Sequence, residues 1–230
     1  MANIADLKKF EEGTEINFSD EKTIKKALHS TFVKEILCYC LGPEGTNIGQ
    51  AAQKWITRME IDNKARIVFC QTVEESIQRA KDIQQDGIIA IFWTCAVYVK
   101  EAEVFFTNPD IIPFFFIERM NLDNMQLSTT KDRKKIIEKT YGEIPRSWVI
   151  ISHPSPAPLV RYLKCEIIFA NSNAEAAKRC QEGEGELCIT TESAKERYGL
   201  ETVFNFGNPQ MVFFGGITSF GLQIIKKSIQ

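Results

Sequence analysis

Residues 41–47 read Leu41-Gly42-Pro43-Glu44-Gly45-Thr46-Asn47 and connect an apolar run at 36–41 to a segment with helical periodicity. In that segment the apolar residues recur at the i, i+3, i+4, i+7 and i+8 spacing of a helix that packs on one face, at Ile48, Ala51, Ala52, Trp55 and Ile56. Either Thr46 or Asn47 is then the N-cap of the helix. The stretch is typical of the strand, turn and helix of an α/β fold.

A second loop, at residues 152–156, reads Ser152-His153-Pro154-Ser155-Pro156 and lies between an apolar run at 148–151 and another predicted helix. Ser155 is its predicted N-cap, and Pro156 suits the first helical position, where a missing N–H has no partner to lose. Exposed N–H groups at a helix start favour carboxylate or phosphate groups. Two such loops predict the two sides of an anion-binding cleft, although ordinary strand-to-helix turns would give the same pattern.

The composition is that of an ordinary globular protein that can bury one large core or two smaller ones, with 230 residues, 44% hydrophobic and 25% charged. A net charge of -2 gives no reason to expect a nucleic-acid or acidic membrane partner. The N-terminus lacks the apolar core of a signal peptide, and the longest apolar stretch, 111–117, is too short to span a bilayer. We therefore expect a cytoplasmic protein.

The seven cysteines are an odd number in a chain without a signal peptide, which indicates reduced thiols. No Cys-x-x-Cys pair occurs, so the spacing does not favour a zinc site. We expect all seven to have packing roles.

Strand and helix patterns alternate along the chain, as in an α/β sheet. The predicted strands are 36–41, 66–70, 88–92, 114–117, 148–151, 167–170, 187–190 and 211–214. The predicted helices are 20–29, 47–58, one that opens at the capping box Thr72–Glu75 and ends at Gly87, one after Ser155, one that opens at the capping box Ser172–Glu175, and a short one that ends at Gly199. The aromatic cluster 114–116 is expected in the core of a sheet.

This pattern divides the chain into a helical N-terminal extension, 1–35, and two lobes. The first lobe is 36–125 together with 203–230, because the last predicted strand can return to it. The second lobe is 126–202. The polar segment 121–146, with a solvated helix around 131–135, is the expected crossing between the lobes.

Four motifs in order resemble the catalytic domain of prephenate dehydratases over roughly residues 36–215. They are 42–46 (Gly-Pro-Glu-Gly-Thr), 152–154 (Ser-His-Pro), 171–177 (Asn-Ser-Asn-Ala-Glu-Ala-Ala), and 192–194 (Glu-Ser-Ala) with 198–200 (Tyr-Gly-Leu). The resemblance implies a two-lobed, type II periplasmic-binding-protein-like α/β fold with prephenate in the cleft. Dehydratases use a regulatory ACT domain to sense phenylalanine, and the sequence leaves no room for one after Gln230. Phenylalanine is therefore not expected to inhibit turnover.

The chain departs from the dehydratase pattern at positions that matter for the reaction. Dehydratases carry Thr-Arg-Phe on the final strand, whereas the corresponding residues here are Gln210, Met211 and, further on, Phe213. The segment 92–95 also differs from the dehydratase pattern. The resemblance is therefore strongest to the prephenate decarboxylases of bacilysin and aeruginosin-type biosynthesis, which release carbon dioxide without making the ring aromatic. A dehydratase that gives phenylpyruvate and a catalytically silent small-anion binding module are the alternatives.

The resemblance and the loop positions together give a set of candidate site residues. The candidate proton donors are Glu44, His153 and Glu192. The candidate substrate-binding residues are Gly45, Thr46, Asn47, Ser152, Ser155, Thr190, Thr191, Gln210 and Met211. The expected partner is the small molecule prephenate, with no metal and no organic cofactor, and a homodimer remains one option for the assembly.

Overall fold

A computed structural model describes residues 21–42, 44–98 and 100–229. It separates into two compact units, residues 1–120 with 211–230, and residues 121–210. Each unit has a five-stranded sheet with helices packed on it. The predicted α/β class is confirmed, and the final strand lies in the first sheet.

Unit 1 consists of α1 (Glu21–His29), β1 (Glu35–Leu41), α2 (Asn47–Met59), β2 (Ala65–Cys70), α3 (Val73–Asp82), β3 (Ile88–Cys95), α4 (Glu101–Thr107), β4 (Ile111–Asn121), β10 (Gln210–Thr218) and α8 (Ser219–Ile229). Its strand order is β2-β1-β3-β10-β4. Strand β1 pairs in parallel with β2 and β3, whereas β10 runs antiparallel to β3. The interior of β1 is buried throughout, as is usual for a parallel strand covered on both faces.

Unit 2 consists of β5 (Met125–Thr129), α5 (Lys131–Lys139), β6 (Val149–Ser152), a 3-10 helix (Ala157–Leu163), β7 (Glu166–Phe169), α6 (Asn173–Gln181), β8 (Leu187–Thr191), α7 (Glu192–Arg197) and β9 (Glu201–Gly207). Its strand order is β7-β6-β8-β5-β9. Strand β6 is parallel to β7 and β8, and β5 is antiparallel to β8 and β9.

The two sheets follow the same plan. Each sheet has three parallel strands followed by one antiparallel strand, which is β10 in unit 1 and β5 in unit 2. A last strand, β4 or β9, forms the edge beyond it. The predicted type II periplasmic-binding-protein-like α/β fold is confirmed.

The units divide at 120/121 and 210/211, whereas the sequence suggested 125/126 and 202/203. The difference arises because β5 and β9 pair with each other along their length, which keeps residues 203–207 in the second sheet. Residues 1–20 of the expected N-terminal extension lie outside the described residues, and α1 confirms the helix predicted at 20–29 from residue 21 onward.

Several predicted elements differ in detail. Helix α3 ends at Asp82 rather than at Gly87, which instead turns the chain into β3 with a φ of 85°. Helix α4 and strands β5 and β9 were not predicted. Phe115 and Phe116 are buried, as expected for sheet core.

Close packing at the centre of unit 1 depends on a glycine in β10. Gly216 is opposite Phe92 of β3, and a Cβ atom built on it would lie 2.1 Å from Cζ and 2.5 Å from Cε1 of that ring. Phe92 is fully buried, so it has no open space to move into. The strand can therefore approach the ring only where the side chain is a hydrogen atom.

We expect Gly216→Ala to lower the free energy of unfolding by about 3 kcal/mol through overpacking. Urea unfolding followed by circular dichroism measures the change. Gly221→Ala in α8 is the matched control, since the nearest neighbour of its added Cβ would be Ile217 Cβ at 3.5 Å. It should stay within about 1 kcal/mol of the wild type, and equal stabilities for the two variants would contradict this account of the packing.

Candidate active site

The first candidate loop leaves the carboxyl end of β1 through Gly42, whose N–H donates to the Cys70 carbonyl oxygen at the end of β2 (2.8 Å). Gly45 follows with a φ of 89°, a left-handed conformation that favours glycine. Pro43 lies outside the described residues. Glu44 and Gly45 are both exposed, and Glu44 forms no hydrogen bond or ion pair with another residue that the structure describes.

Thr46 is the N-cap of α2, which decides between the two residues that the sequence offered. Its Oγ1 accepts a hydrogen bond from the Gly49 N–H (3.3 Å) and donates to the Leu41 carbonyl oxygen (2.8 Å). Asn47 is the first helical residue and is partly exposed. Because the first N–H groups of a helix have no intrahelical partner, the amides at this helix start are the loop's remaining donors.

The start of β10 lies at the same edge of the sheet. Strand β10 pairs Phe213 with Cys95, the last residue of β3, and the Ala96 N–H donates to the Val212 carbonyl oxygen (3.0 Å). Gln210 is exposed and Met211 is partly exposed. The loop with Gly45, Thr46 and Asn47 and the start of β10 with Met211 therefore lie at the carboxyl edge of the parallel strands of the first sheet, and their role as site residues stays a prediction.

In unit 2 the second candidate loop leaves the carboxyl end of β6. Ser152 is fully buried, and its hydroxyl donates to the His153 carbonyl oxygen (2.8 Å). The Ser155 N–H donates to His153 Nδ1 (3.2 Å), so in the neutral imidazole the proton lies on Nε2. Burial lowers the pKa of His153 below its ordinary value of 6.5.

The prediction of a helix capped by Ser155 is wrong in the type of helix and in the N-cap residue. The segment is a 3-10 helix that starts at Ala157, with Pro156 at the N-cap position and no side-chain cap. Ser155 cannot cap it, because the chain at 153–155 is already turned by the contact between the Ser155 N–H and the imidazole. Prolines at 156 and 158 supply no N–H for a regular first turn.

The carboxyl end of β8 carries three candidates. Thr190 is buried and donates through Oγ1 to the Asn173 carbonyl oxygen (2.8 Å). Thr191 is the N-cap of α7, with its side chain accepting from the Ala194 N–H (3.4 Å). Glu192 opens α7, and its Oε2 accepts from Asn124 Nδ2 (2.7 Å). Ser152, His153, Thr190, Thr191 and Glu192 thus end two adjacent strands of the second sheet.

Asp123 and Asn124, just before β5, were missed by the sequence analysis. Asp123 Oδ1 accepts from the Asn124 N–H (2.8 Å), and Oδ2 accepts from the Ser193 N–H (2.9 Å). Partial burial alone would raise the pKa of Asp123, but hydrogen bonds from Ser193, Asn124 and Thr191 outweigh it and hold that pKa below its ordinary value. The sequence signal that could have identified them is an Asp-Asn pair immediately before residues 125–129, which form β5.

Each unit thus collects its own group of candidates, and the prediction that the two loops face each other across a cleft stays a prediction. In the part of the chain that the structure describes, no group of three His, Cys, Asp or Glu side chains is placed to hold a metal ion. No helix among these residues is long and apolar enough to cross a membrane.

The lowered pKa of His153 predicts a pH dependence of stability. Between the ordinary pKa of 6.5 and the lower folded value, the unfolded chain binds more protons than the folded protein. The free energy of unfolding should therefore fall as the pH is lowered through this range. Urea unfolding across about pH 7 to 5 should show a smaller fall for His153→Gln than for the wild type. His29→Gln is the control and should keep the His153 contribution, so equal slopes for the two variants would contradict the assignment.

The chain is similar in sequence to proteins of one known family. The family model described as prephenate dehydratase matches residues 38–206. A prephenate decarboxylase of Bacillus amyloliquefaciens is 30% identical over 178 residues, covering 75% of this chain and 82% of that protein. A prephenate decarboxylase of Bacillus subtilis is 29% identical over the same shares.

A solved structure, R. palustris Rpa4515 with adipate, is similar in fold alone. It is 12% identical, covers 84% of this chain and 80% of that chain, and has a TM-score of 0.53. The match of the family model over most of the chain and the 30% identity identify the chain as a member of the prephenate dehydratase family.

Proposed function

We propose that this protein is a prephenate decarboxylase that gives carbon dioxide and a non-aromatic dihydro-4-hydroxyphenylpyruvate. The observation that carries the proposal is the pair Gln210 and Met211 at the carboxyl edge of the unit 1 sheet, where dehydratases carry Thr and Arg. Family membership and the two decarboxylase relatives support it.

The fate of the ring hydroxyl separates the two reactions of prephenate. When an acid helps the hydroxyl to leave, loss of the ring carboxylate gives an aromatic ring and phenylpyruvate. When the hydroxyl stays, the electron pair of the broken C–C bond moves into the ring diene, and a proton must be added to an alkene carbon. Gln210 provides an amide, which can form hydrogen bonds but is not an acid at neutral pH.

Met211 stands where dehydratases carry an arginine, so that cation is missing from this edge of the sheet. A carboxylate loses its charge as carbon dioxide departs, so a cation beside it would stabilise the ground state more than the transition state. Lys100, another cation of unit 1, is 3.6 Å from Glu74 Oε1, so its charge has a carboxylate partner. We therefore assign the leaving carboxylate to the neighbourhood of Met211.

The pyruvyl carboxylate requires hydrogen-bond donors instead. The amides at the start of α2, next to Gly45, Thr46 and Asn47, can supply them, since anions bind well at helix N-termini. Thr46 Oγ1 and Ser152 Oγ already donate to backbone carbonyl oxygens. The Ser155 hydroxyl, together with Thr191, remains the proposed donor set of unit 2.

The proposed reaction needs no organic cofactor, because the ring diene itself accepts the electron pair. Its product keeps a secondary alcohol and two ring alkenes, so it is not the direct precursor of an aromatic amino acid. We accordingly place the enzyme in secondary-metabolite biosynthesis.

Product analysis tests the proposal directly. Purified protein mixed with prephenate should release carbon dioxide and form a product whose proton NMR spectrum keeps a carbinol proton and alkene protons. Phenylpyruvate, identified by its aromatic protons, would indicate a dehydratase. An absence of turnover by folded protein would indicate a binding module, and either result contradicts the proposal.

The double variant Gln210→Thr plus Met211→Arg tests the role of the altered strand. It should suppress the dihydro product and give traces of phenylpyruvate, because it restores a hydroxyl and a cation at this edge. Both positions are at least partly exposed, which limits the cost of adding a charge. Full dehydratase activity is not expected, since residues 92–95 also differ from the dehydratase pattern.

Val212→Arg is the matched control, since it adds a cation to the next residue of the same strand on the opposite face. It should leave the product unchanged. Circular dichroism must show that both variants are folded. Dihydro-product turnover that is unaltered in the folded double variant would show that positions 210 and 211 do not decide the outcome.

A further inference from the structure

Glu192 is held more firmly than the other two candidate proton donors. Its Oε2 accepts from Asn124 Nδ2 at 2.7 Å, and its backbone N–H donates to the Asn124 carbonyl oxygen at 2.9 Å. These reciprocal contacts join the residue before β5 to the first residue of α7. Oε1 accepts no hydrogen bond from the residues that the structure describes, so it is the oxygen left for another partner.

Asn124 is fixed in turn by Asp123. The Asp123 carboxylate accepts the N–H groups of both Asn124 and Ser193. It therefore ties the segment before β5 to the first turn of α7, the same two pieces of chain that the contact between Asn124 and Glu192 joins. Asn124 must direct its NH2 group at the Glu192 carboxyl, because an amide oxygen in that position would face another acceptor.

We infer that Glu192 donates the proton to the substrate ring and that Asn124 is its positioning residue. The inference rests on the proposed decarboxylase function. Asn124 Nδ2 can only donate, so the oxygen that it contacts must accept and does not carry the transferable proton. A proton to be donated would therefore be on Oε1, whose orientation is set by the two contacts with Asn124.

The step balances when one proton per turnover is taken from the solvent. The bond between the ring and its carboxylate breaks, carbon dioxide leaves, and the electron pair forms a new ring double bond. The adjacent alkene opens and takes the proton from Glu192 Oε1 at its far carbon. Glu192 becomes a carboxylate, and a proton taken up from the solvent restores its acid form, so each turnover consumes one proton.

The other two candidates fit this role less well. The Glu44 side chain is exposed and has no partner among the described residues, so nothing orients it. His153 has a lowered pKa and a ring nitrogen, Nδ1, that accepts a hydrogen bond. It is neutral at pH 7, and loss of its remaining proton from Nε2 would give an imidazolate, which is a poor outcome for an acid catalyst.

A kinetic double-mutant cycle on the whole protein tests both parts of the inference. Glu192→Gln should lower kcat by about 100-fold or more, the usual effect of removing a general acid. Asn124→Ala should lower kcat by about 10-fold with KM changed by less than about twofold, because it misplaces Glu192 without touching substrate. The double variant should be no slower than Glu192→Gln, since Asn124 acts through Glu192.

Matched controls come from the same unit. Glu166→Gln and Asn205→Ala make the same chemical changes at exposed positions of β7 and β9 and should keep kcat within about twofold. Asn124→Ser keeps a short donor and provides a second variant if Asn124→Ala does not fold. Its kcat should lie between those of the wild type and of an Asn124→Asp variant, which places a carboxylate against Glu192.

Three results would overturn the inference. A kcat within about fivefold of the wild type in folded Glu192→Gln would exclude Glu192 as the donor. If the reductions in kcat of the two single variants multiply in the double variant, Asn124 acts independently of Glu192. A wild-type protein that forms no dihydro product would refute the proposed function itself, and product analysis of the wild type distinguishes that failure from the first two.

Discussion

Parallel pairing in each sheet determines which residues can form a site. In unit 1, β1 and β3 end side by side, so the loop after Leu41 is next to the segment after Cys95. In unit 2, β6 and β8 end together, which brings the loop after Ser152 close to Thr191. The antiparallel strand inserted in each sheet begins at the same edge, since Met125 pairs with Thr191 and Phe213 with Cys95. Residues before β5 and at the start of β10 are consequently brought to these edges from distant parts of the sequence.

The polar groups at these edges are mostly engaged within the protein. The hydroxyls of Thr46, Ser152 and Thr190 each donate to a backbone carbonyl oxygen, which fixes the loops but removes those protons from binding. Buried polar groups need such partners, because an unpaired one costs about 1–3 kcal/mol. Among the described residues, the groups that stay available to a ligand include the amides at the start of α2, His153 Nε2 and Glu192 Oε1.

Local sequence patterns predicted the elements whose formation depends on neighbours in the chain. Helix α2 follows from its apolar spacing, and the caps Thr72 and Ser172 accept the N–H groups of Glu75 and Glu175 as their motifs indicate. Strand β5 could not be found in this way. Its polar residues Gln126, Ser128 and Thr129 are buried, which hides the usual alternation.

Gln126 and Thr129 are satisfied by partners that are far away in sequence. The Thr202 hydroxyl donates to Gln126 Oε1 (2.6 Å), and Thr129 Oγ1 donates to the Glu186 carbonyl oxygen (2.5 Å). The same limit explains the missed site residues, since the contacts of Asn124 with Glu192 and of Asp123 with Ser193 arise only once β5 pairs with β8. Gly45, Thr46, Gln210 and Met211 were predicted because they follow or begin strands that the sequence does show.

The proposed reaction requires opposite treatment of two carboxylates on one small molecule. The carboxylate that stays is best bound by fixed dipoles, such as the amides of α2, which stabilise its charge throughout the reaction. The one that leaves must not be stabilised in the same way, because any favourable contact that disappears as carbon dioxide forms raises the barrier. A methionine in place of the family's arginine meets that requirement, because its thioether neither attracts the carboxylate nor binds a proton. In the proposed mechanism, the change at 211 and the hydrogen-bonded carboxyl group at 192 serve the same end, because the first would leave the departing group unbound and the second would determine where the proton is added.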